Sequence, residues 1–178
     1  MTPTLVTARL TLRAPRLDDA ARLAALLDNF AVAGNLESVP YPYGLADAVS
    51  FLGSLPAAPE PEETNFAIDL GDHGYIGMIG FHQRPIGTTL GYYLGQPYWG
   101  RGLMTEAARA AIAWFFATTT RDRLASGIFS FNKASLAVQH KLGFVETGRS
   151  VMHCLARNEQ VRHIDTELTR TAWNGRKT

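Results

Sequence analysis

The sequence predicts an α/β fold, with a mixed, mostly antiparallel sheet of about seven strands flanked by about four helices. Strand and helix patterns interleave along the chain in the order β-α-α-β-β-β-α-β-α-β-β, which is typical of a sheet with helices on its faces. A length of 178 residues, with 46% hydrophobic and 19% charged residues, suits one ordinary globular domain. We therefore expect a single domain over residues 1–178, with its core between about residues 5 and 170.

The first predicted elements are one strand and two helices. Arg9–Arg13 alternates apolar and polar residues, as in a strand with one buried face. Asp18 and Asp19 offer caps for a helix that carries a wide apolar face and ends by Asn29. A second helix is predicted over Ala46–Leu55, after the aromatic turn Pro40–Gly44.

The middle of the chain predicts three strands separated by glycine-containing turns. They cover Asn65–Leu70, Tyr75–His82 and Thr89–Leu94. The turns are Gly71–Gly74 and Arg84–Gly87. Because such short connections join antiparallel neighbours, the three strands are expected to form a meander.

The remaining elements begin with a glycine loop and a long helix. The last of the helices is expected to stop at Gly143, since glycine commonly ends a helix. The predicted elements are a helix over Leu103–Thr118, a strand over Leu124–Phe131, a helix over Asn132–Leu142, and strands over Val145–Leu155 and Val161–Leu168.

Charge and cysteine content exclude several classes of function. A formal net charge of +1 lacks the excess of positive charge that nonspecific nucleic-acid binding needs. One cysteine, Cys154, permits no intrachain disulfide and fits a reducing compartment. The five histidines show no metal-binding spacing, and no apolar run is long enough for a signal peptide or membrane span. We expect a cytoplasmic protein with no metal and with neither nucleic acid nor membrane as partner.

The segment Leu94–Thr105 joins a strand to a helix through a loop with two glycines. Free N–H groups of a first helical turn and the helix dipole favour a bound anion, and glycines let a phosphate approach the backbone. The same glycines are equally consistent with a tight turn and nothing more. The loop lacks the Gly-Lys-Ser/Thr ending of a Walker loop and the three spaced glycines of a dinucleotide-binding fold.

A second segment, Asn132–Phe144, begins a helix directly after a strand. Asn132 is typical of an N-cap, although its side-chain amide is also able to bind a ligand amide. Ser135 lies one turn later on the same helix face, where its hydroxyl either bonds a local carbonyl or contacts a ligand.

Together, Trp99–Ala107 and the pattern that joins Asn132, Ser135 and Leu142–Phe144 closely resemble the acetyl-CoA motifs of the GNAT N-acetyltransferases. The start Leu10–Pro15 and the turn Pro40–Gly44 resemble the branch of ribosomal-protein N-terminal (RimJ/RimL-like) acetyltransferases. The resemblance spans about residues 5–170. It implies the GNAT fold and transfer of an acetyl group from acetyl-CoA to an amine, by direct attack in a ternary complex.

The family's cofactor contacts transfer to the matching positions of this chain. Backbone N–H groups of the loop would face the pyrophosphate, and Arg101 would add charge at its rim. The amide of Leu94 would stabilise the thioester oxygen as it becomes an oxyanion. The expected cofactor-binding residues are Leu94, Trp99, Gly100, Arg101, Gly102, Leu103, Met104, Thr105, Asn132 and Ser135.

The sequence departs from the family at the general acid. Gln139 stands where many members have the tyrosine that protonates the departing thiolate, so Ser135 becomes the hydroxyl expected near the sulfur. His82 is the first candidate for the general base, because histidine titrates in the right range. Glu37, His153 and a water chain remain open alternatives.

The acceptor amine is expected between the segment Phe30–Gly44 and the turn Ala156–Gln160, with contacts from Glu37, Tyr41 and Tyr43. A protein N-terminus and a small-molecule amine both remain possible, in a monomer or a homodimer. Two rivals are a noncatalytic acyl-CoA-binding or regulatory module on the same fold and a nucleotide-binding protein that uses the glycine loop.

Overall fold

The computed structural model describes residues 2–176, and its strands and helices follow the predicted order with a few additions. The strands are β1 (Leu5–Val6), β2 (Thr11–Arg13), β3 (Asn65–Asp69), β4 (Tyr75–Arg84), β5 (Gly87–Leu94), β6 (Arg123–Phe129), β7 (Val145–Cys154) and β8 (Glu159–Thr169). The helices are α1 (Ala20–Leu27), α2 (Phe30–Ala33), α3 (Leu45–Ser54), α4 (Leu103–Thr118), α5 (Lys133–Leu142) and α6 (Arg170–Asn174).

The strands form one sheet of eight, in the order β1-β2-β3-β4-β5-β6-β8-β7. Every neighbouring pair is antiparallel except β5 and β6, which are parallel and are joined through the crossover helix α4. The mixed, mostly antiparallel sheet is therefore confirmed.

The parallel pair is short. Its register pairs Thr89 with Ala125, and the hydroxyl of Ser126 donates to the carbonyl of Leu90 over 2.8 Å. On its other edge, β5 stays paired with β4 from Gly87 to Leu94. Beyond residue 90, therefore, β5 continues along β4 with no partner on its β6 side, and a gap opens in the middle of the sheet.

Two hydrophobic cores cover the two faces of the sheet. On one face the crossover helix α4 packs through Ala107, Ala111 and Phe115, and the ring of Phe115 stacks on Phe81 at 4.6 Å between centroids. On the other face, α1 and α3 pack on Met78 and its neighbours. The core under α4 also includes Leu124 of β6 and Leu168 of β8, so it joins the strands on both sides of the gap.

The structure adds short elements that the sequence pattern did not predict. The predicted strand Arg9–Arg13 is shorter than expected, and a turn closed by Thr7 N–H donating to the Leu10 carbonyl pairs it with β1. Helices α2 and α6 are also additional. Elements this short carry too few residues for a period of 2 or 3.6 to show. Within residues 2–176, no helix is both long enough and apolar enough to span a membrane.

Candidate active site

The gap between β5 and β6 is part of a cleft of about 1540 Å³. The cleft begins at the loop before α4 and at the start of α5, and it ends at the connection between α2 and α3. Small-molecule pockets usually have volumes of roughly 300–1,000 Å³. The cleft therefore has room for two small-molecule ligands.

At one end, the glycine loop presents free backbone donors. Gly100 and Gly102 have φ angles of 72° and 73°, a left-handed conformation that side chains with a Cβ disfavour. Gly102 is the N-cap of α4, so the N–H groups of Leu103, Met104 and Thr105 have no partner within the helix. An added Cβ on Gly100 would meet no atom within 4 Å, so the space beside the loop is open.

Side chains hold this loop from both sides. The indole N–H of Trp99 donates to the Leu94 carbonyl over 2.8 Å. The guanidinium of Arg9 donates to the Arg101 carbonyl over 3.0 Å and to the Glu106 carboxylate over 2.7 Å. Burial raises the pKa of Glu106, but the bonds from Thr7 and Arg9 outweigh it and lower the pKa overall.

Sequence analysis missed Arg9, which also lies 3.8 Å from the point that a Cβ on Gly102 would occupy. A cation at the rim of the loop adds to the positive end of the helix dipole. Nothing in the strand pattern of residues 9–13 pointed to this contact, because it joins residues more than 90 positions apart.

The backbone of β5 directs the Leu94 N–H into the gap. The neighbouring N–H of Gly95 donates to the Ile76 carbonyl, on the β4 side. Because N–H groups alternate direction along a strand, the N–H of Leu94 points to the opposite side, toward β6.

The start of α5 lines the same end of the cleft. Asn132 accepts a hydrogen bond from the Ser135 N–H over 3.0 Å, so its role as an N-cap is present in the structure. Asn132 and Ser135 both line the cleft as well.

A phenol meets Ser135 across the cleft. The hydroxyls of Tyr92 and Ser135 are 2.8 Å apart. Burial raises the pKa of Tyr92 despite opposing hydrogen bonds to Ser135 and Gln139, so the phenol stays protonated at neutral pH. Sequence analysis missed this residue, since an alternating strand pattern does not distinguish sheet packing from a site contact.

Gln139 is fully buried and does not line the cleft. Its side-chain amide donates to Ser126 over 2.9 Å, and its oxygen accepts from Thr166 over 2.6 Å. The residue joins α5 to β6 and β8. The family resemblance implies a proton-donating tyrosine at position 139, but this chain has a buried glutamine there that links three elements by hydrogen bonds.

His82 lies on the opposite face of the sheet, at the other end of the cleft. A Cβ on Gly80 would come within 3.3 Å of the His82 Nε2 atom and within 2.2 Å of the Asn65 carboxamide oxygen. Glycine at this position therefore makes room for two polar side chains that line the cleft. Burial and, secondarily, Arg84 lower the pKa of His82, and Glu63 opposes them only in part.

A second histidine, His163, lines the same face of the cleft. The Nδ1 atom of His163 is 2.9 Å from the Asp165 carboxylate. The Cys154 thiol is instead buried against backbone carbonyls, including that of Leu36 at 3.4 Å. Among the residues that the structure describes, there is therefore a histidine–carboxylate pair and no cysteine–histidine pair.

The two segments expected to frame the acceptor do meet. The guanidinium of Arg157 lies 5.0 Å from the ring centroid of Phe30 and 4.4 Å from that of Phe131. The Leu155 N–H donates to the Glu37 carbonyl over 3.1 Å, which ties the turn between β7 and β8 to the connection after α2.

The expected contacts within this frame are only partly present. Glu37 lines the cleft, whereas Tyr41, Tyr43 and His153 do not. Tyr43 is buried in the core with α1 and α3, and Tyr41 packs edge-on against Phe30. The predicted cleft contacts of the two tyrosines are therefore wrong, because both rings are used for packing.

The residues fit a CoA thioester. The loop offers backbone donors and open space for phosphates, and the gap leaves β5 an unpaired edge with which a peptide-like arm is able to pair. Within residues 2–176, no group of three or more His, Cys, Asp or Glu side chains is arranged to hold a metal ion.

Comparison with known proteins agrees with this geometry. Residues 9–145 match the family model of the acetyltransferase (GNAT) domain. A SPbeta prophage-derived uncharacterized N-acetyltransferase, YokL, of Bacillus subtilis is 29% identical over 79% of this chain and 78% of its own. The [ribosomal protein uS5]-alanine N-acetyltransferase of Escherichia coli is 34% identical over 47% of this chain and 43% of its own length.

A solved structure has the same fold. The microcin C7 self-immunity acetyltransferase MccE, in complex with acetyl-CoA and AMP, superposes with a TM-score of 0.79. The match covers 92% of this chain and 93% of that one at 18% identity.

Proposed function

The chain belongs to the GNAT acetyltransferase family and is an acetyl-CoA-dependent acetyltransferase, and from that premise we propose that it acetylates a primary amine by direct attack in a ternary complex. The acceptor in this proposal is a protein N-terminus or a small-molecule amine. The observation that carries the proposal is the single continuous cleft, which joins the phosphate-binding loop to the histidines through the gap in the sheet.

Direct attack is favoured by the side chains in the cleft. The buried Cys154 thiol contacts backbone carbonyls and is held away from a ligand, and Ser135 has a phenol as its neighbour rather than a base. In the proposed reaction the amine nitrogen bonds to the thioester carbon and the carbon–sulfur bond breaks. The electron pair of that bond leaves on sulfur, and the nitrogen loses one proton.

At the cofactor end, we assign binding to the loop Trp99–Thr105, Leu94 and Asn132. Acetyl-CoA supplies the activated acetyl group. The N–H groups of the loop hold the phosphates, and the Leu94 N–H donates to the developing oxyanion. These assignments rest on the free first-turn N–H groups, the open space at Gly100 and the strand alternation.

Ser135 and Tyr92 together are assigned to the departing thiolate. Their hydroxyls are 2.8 Å apart, and Ser135 lines the cleft at its cofactor end. Since burial keeps Tyr92 protonated, the pair holds a proton that is available as negative charge develops on sulfur. In this proposal the two hydroxyls take the role of the tyrosine that many family members have at the position of the buried Gln139.

His82 is assigned as the group that accepts the amine proton. Because its pKa is lowered, its imidazole is neutral at neutral pH and has a lone pair available. It lines the cleft on the face opposite Ser135, so the amine and the thiolate would exchange protons with different groups. A cytoplasmic location is part of the proposal, because the free Cys154 fits a reducing compartment.

The deciding experiment measures free thiol release from acetyl-CoA with a panel of amines. The panel contains peptides with free N-terminal alanine or serine, a polyamine, an aminoglycoside and single amino acids. Each peptide has an N-acetylated copy as its matched control, since that copy offers no α-amine. Release with a free amine and none with its blocked copy supports the proposal.

Thiol release no faster than hydrolysis with every amine would contradict the proposal. If CoA still bound in that case, the noncatalytic acyl-CoA-binding module would be favoured. Equal protection against heat by ATP and CoA would instead favour the nucleotide-binding rival.

A further inference from the structure

Two histidines lie on the same face of the sheet, one on each side of the gap. The parallel register pairs Thr89 with Ala125, so Gly91 and Gly127 each lie two residues further along their strands, at the level where the gap opens. Paired residues point to the same face, which places both glycines on the face that carries His82 and His163. The imidazole of His82 on β4 therefore lies beside Gly91, and the imidazole of His163 on β8 lies beside Gly127.

The side chain of His163 lies directly on Gly127. A Cβ on Gly127 would be 2.0 Å from the Cε1 atom of His163 and 2.6 Å from its Nε2 atom. The φ angle of Gly127 is not among the positive values of this chain, so its backbone alone does not require glycine. What requires glycine there is the space that the imidazole takes.

Asp165 fixes the orientation of this ring. Its carboxylate is 2.9 Å from the Nδ1 atom and also accepts a hydrogen bond from Ser150 over 2.9 Å. A carboxylate at Nδ1 favours the tautomer with the proton on that nitrogen, which leaves Nε2 as a hydrogen-bond acceptor. The ring is also packed edge-on against Phe129, at 6.1 Å between centroids.

The charged groups around His163 suit a cationic ligand. Asp165 and Glu167 lie on the same face of β8, and Glu37 lines the cleft from the connection after α2. Arg123 on β6 is paired with Glu167 at 3.3 Å, and the titratable groups that line this face across the gap are His82, Arg84 and Tyr93.

From these observations, and resting on the proposed function, we propose that His163, oriented by Asp165, is a binding site for the acceptor amine. The Nε2 atom accepts a hydrogen bond from one N–H of the amine, while His82 on the other side of the gap takes the proton that is lost. A primary amine has enough N–H groups to contact both imidazoles. His163 therefore contacts the substrate, and Asp165 is its positioning residue.

The first test is the kinetics of His163→Ala with a varied amine at saturating acetyl-CoA. The KM for the amine is expected to rise about tenfold, the equivalent of one hydrogen bond to a charged group, with a smaller change in kcat. The acidic limb of kcat at saturating amine is expected to stay where it is in the wild type, since His82 accepts the proton. The matched control is His140→Ala, which removes an exposed histidine outside the cleft.

Further variants at Asp165 and Gly127 distinguish a role in orienting the His163 ring from a role in stabilising the fold alone. Asp165→Asn keeps an oxygen for the Nδ1–H and is expected to retain most of the affinity for the amine that Asp165→Ala loses. Gly127→Ala keeps His163 but displaces its ring, so it is expected to raise the amine KM as His163→Ala does. An unchanged KM in His163→Ala and Gly127→Ala would overturn the proposal, and so would loss of the acidic limb in His163→Ala.

A measurement without turnover keeps this inference distinct from the proposed function. Nitrogen-15 NMR of the imidazoles is expected to show a proton on Nδ1 of His163 in the wild type, and a mixture of tautomers in Asp165→Ala. The His163 signals are expected to shift when the best amine of the panel is added with CoA. A proton on Nε2, or no shift with amine, would overturn the inference. Wild-type protein that releases no thiol with any amine would refute the proposed function instead.

Discussion

The two ends of the cleft are built from different parts of the chain. At the cofactor end the donors are backbone N–H groups of the continuous segment Leu94–Thr105, placed by two glycines with positive φ. At the acceptor end the polar groups are side chains from separate strands, including Asn65, His82 and His163. A site made of backbone depends on local conformation, whereas a site made of side chains depends on which strands are neighbours.

From this difference we predict how the two ends tolerate sequence change. The free N–H groups of the loop do not depend on which side chains stand at Trp99 and Met104, because the donors are backbone groups. At the acceptor end, one change at Gly127 would displace an imidazole. We therefore expect cofactor binding to be robust to substitution and acceptor binding to be sensitive.

The largest expected effect tests the cofactor end as a whole. CoA at about 100 times its dissociation constant should raise the free energy of unfolding by about 2.7 kcal/mol, and the melting temperature by about 5–10 °C. Acetyl-CoA should do the same, since both carry the pyrophosphate. Differential scanning fluorimetry measures this, and no shift at millimolar CoA would contradict the assignment of the loop.

The next effect concerns Ser135, whose side chain lines the cofactor end of the cleft. Ser135→Ala should lower kcat by about 10- to 100-fold, the equivalent of about 1.5–3 kcal/mol for a charge-assisted hydrogen bond to the thiolate. Affinity for CoA should change little, because this bond strengthens only in the transition state.

Tyr92→Phe is the partner experiment. If the phenol and Ser135 act as one unit, the double variant should lose little more kcat than the worse single variant, measured in steady state with saturating amine. Additive losses would show that the 2.8 Å contact between the hydroxyls is not used as a pair. An undiminished kcat in Ser135→Ala would remove Ser135 from the reaction.

A smaller effect is expected from charge beside the loop. Thr105→Glu places a carboxylate in the first turn of α4, on the cleft, and should weaken CoA binding about tenfold through repulsion of the phosphates. Thr105→Gln is the control of nearly equal shape and should bind CoA as the wild type does. Gly102 is a poorer position, because its φ of 73° would strain any substituted residue. Calorimetry that gives equal affinities for the two Thr105 variants would contradict a phosphate site here.

The smallest expected effect is the pH dependence due to His82. Burial lowers its pKa below the ordinary 6.5, so the acidic limb of kcat/KM should lie below pH 6.5. In the window between the lowered and the ordinary value, the unfolded chain binds more protons than the native one, so stability should rise with pH there.

His82→Asn should remove both trends, in kinetics and in pH-dependent denaturation. An acidic limb that is unchanged in this variant would show that another group accepts the amine proton.

Local patterns were sufficient to predict most of the fold and the cofactor end. The glycine loop, the start of α4 at Leu103 and the Asn132 cap all lie where the sequence places them. They were predictable because positive φ, capping and helical period depend on residues a few positions apart.

The missed or wrongly assigned residues share one property. Arg9, Tyr92 and His163 each act through a partner that belongs to another element or that only the sheet register brings into the cleft. Tyr41 and Tyr43 were assigned to the acceptor groove from their position in the chain, but core packing determines where their rings lie. Composition and periodicity carry no information about such contacts.

The sequence by itself determined the succession of elements, the turn conformations and the row of free N–H groups before α4, because each of these follows from short-range backbone geometry. Only the tertiary structure decided that β5 and β6 separate after Thr89 and Ala125, and that His82 and His163 line one face of the cleft on the two sides of that gap. The physical reason is that bringing residues about 80 positions apart into one cleft depends on strand order and register. Those are set by the packing of both faces of the sheet at once.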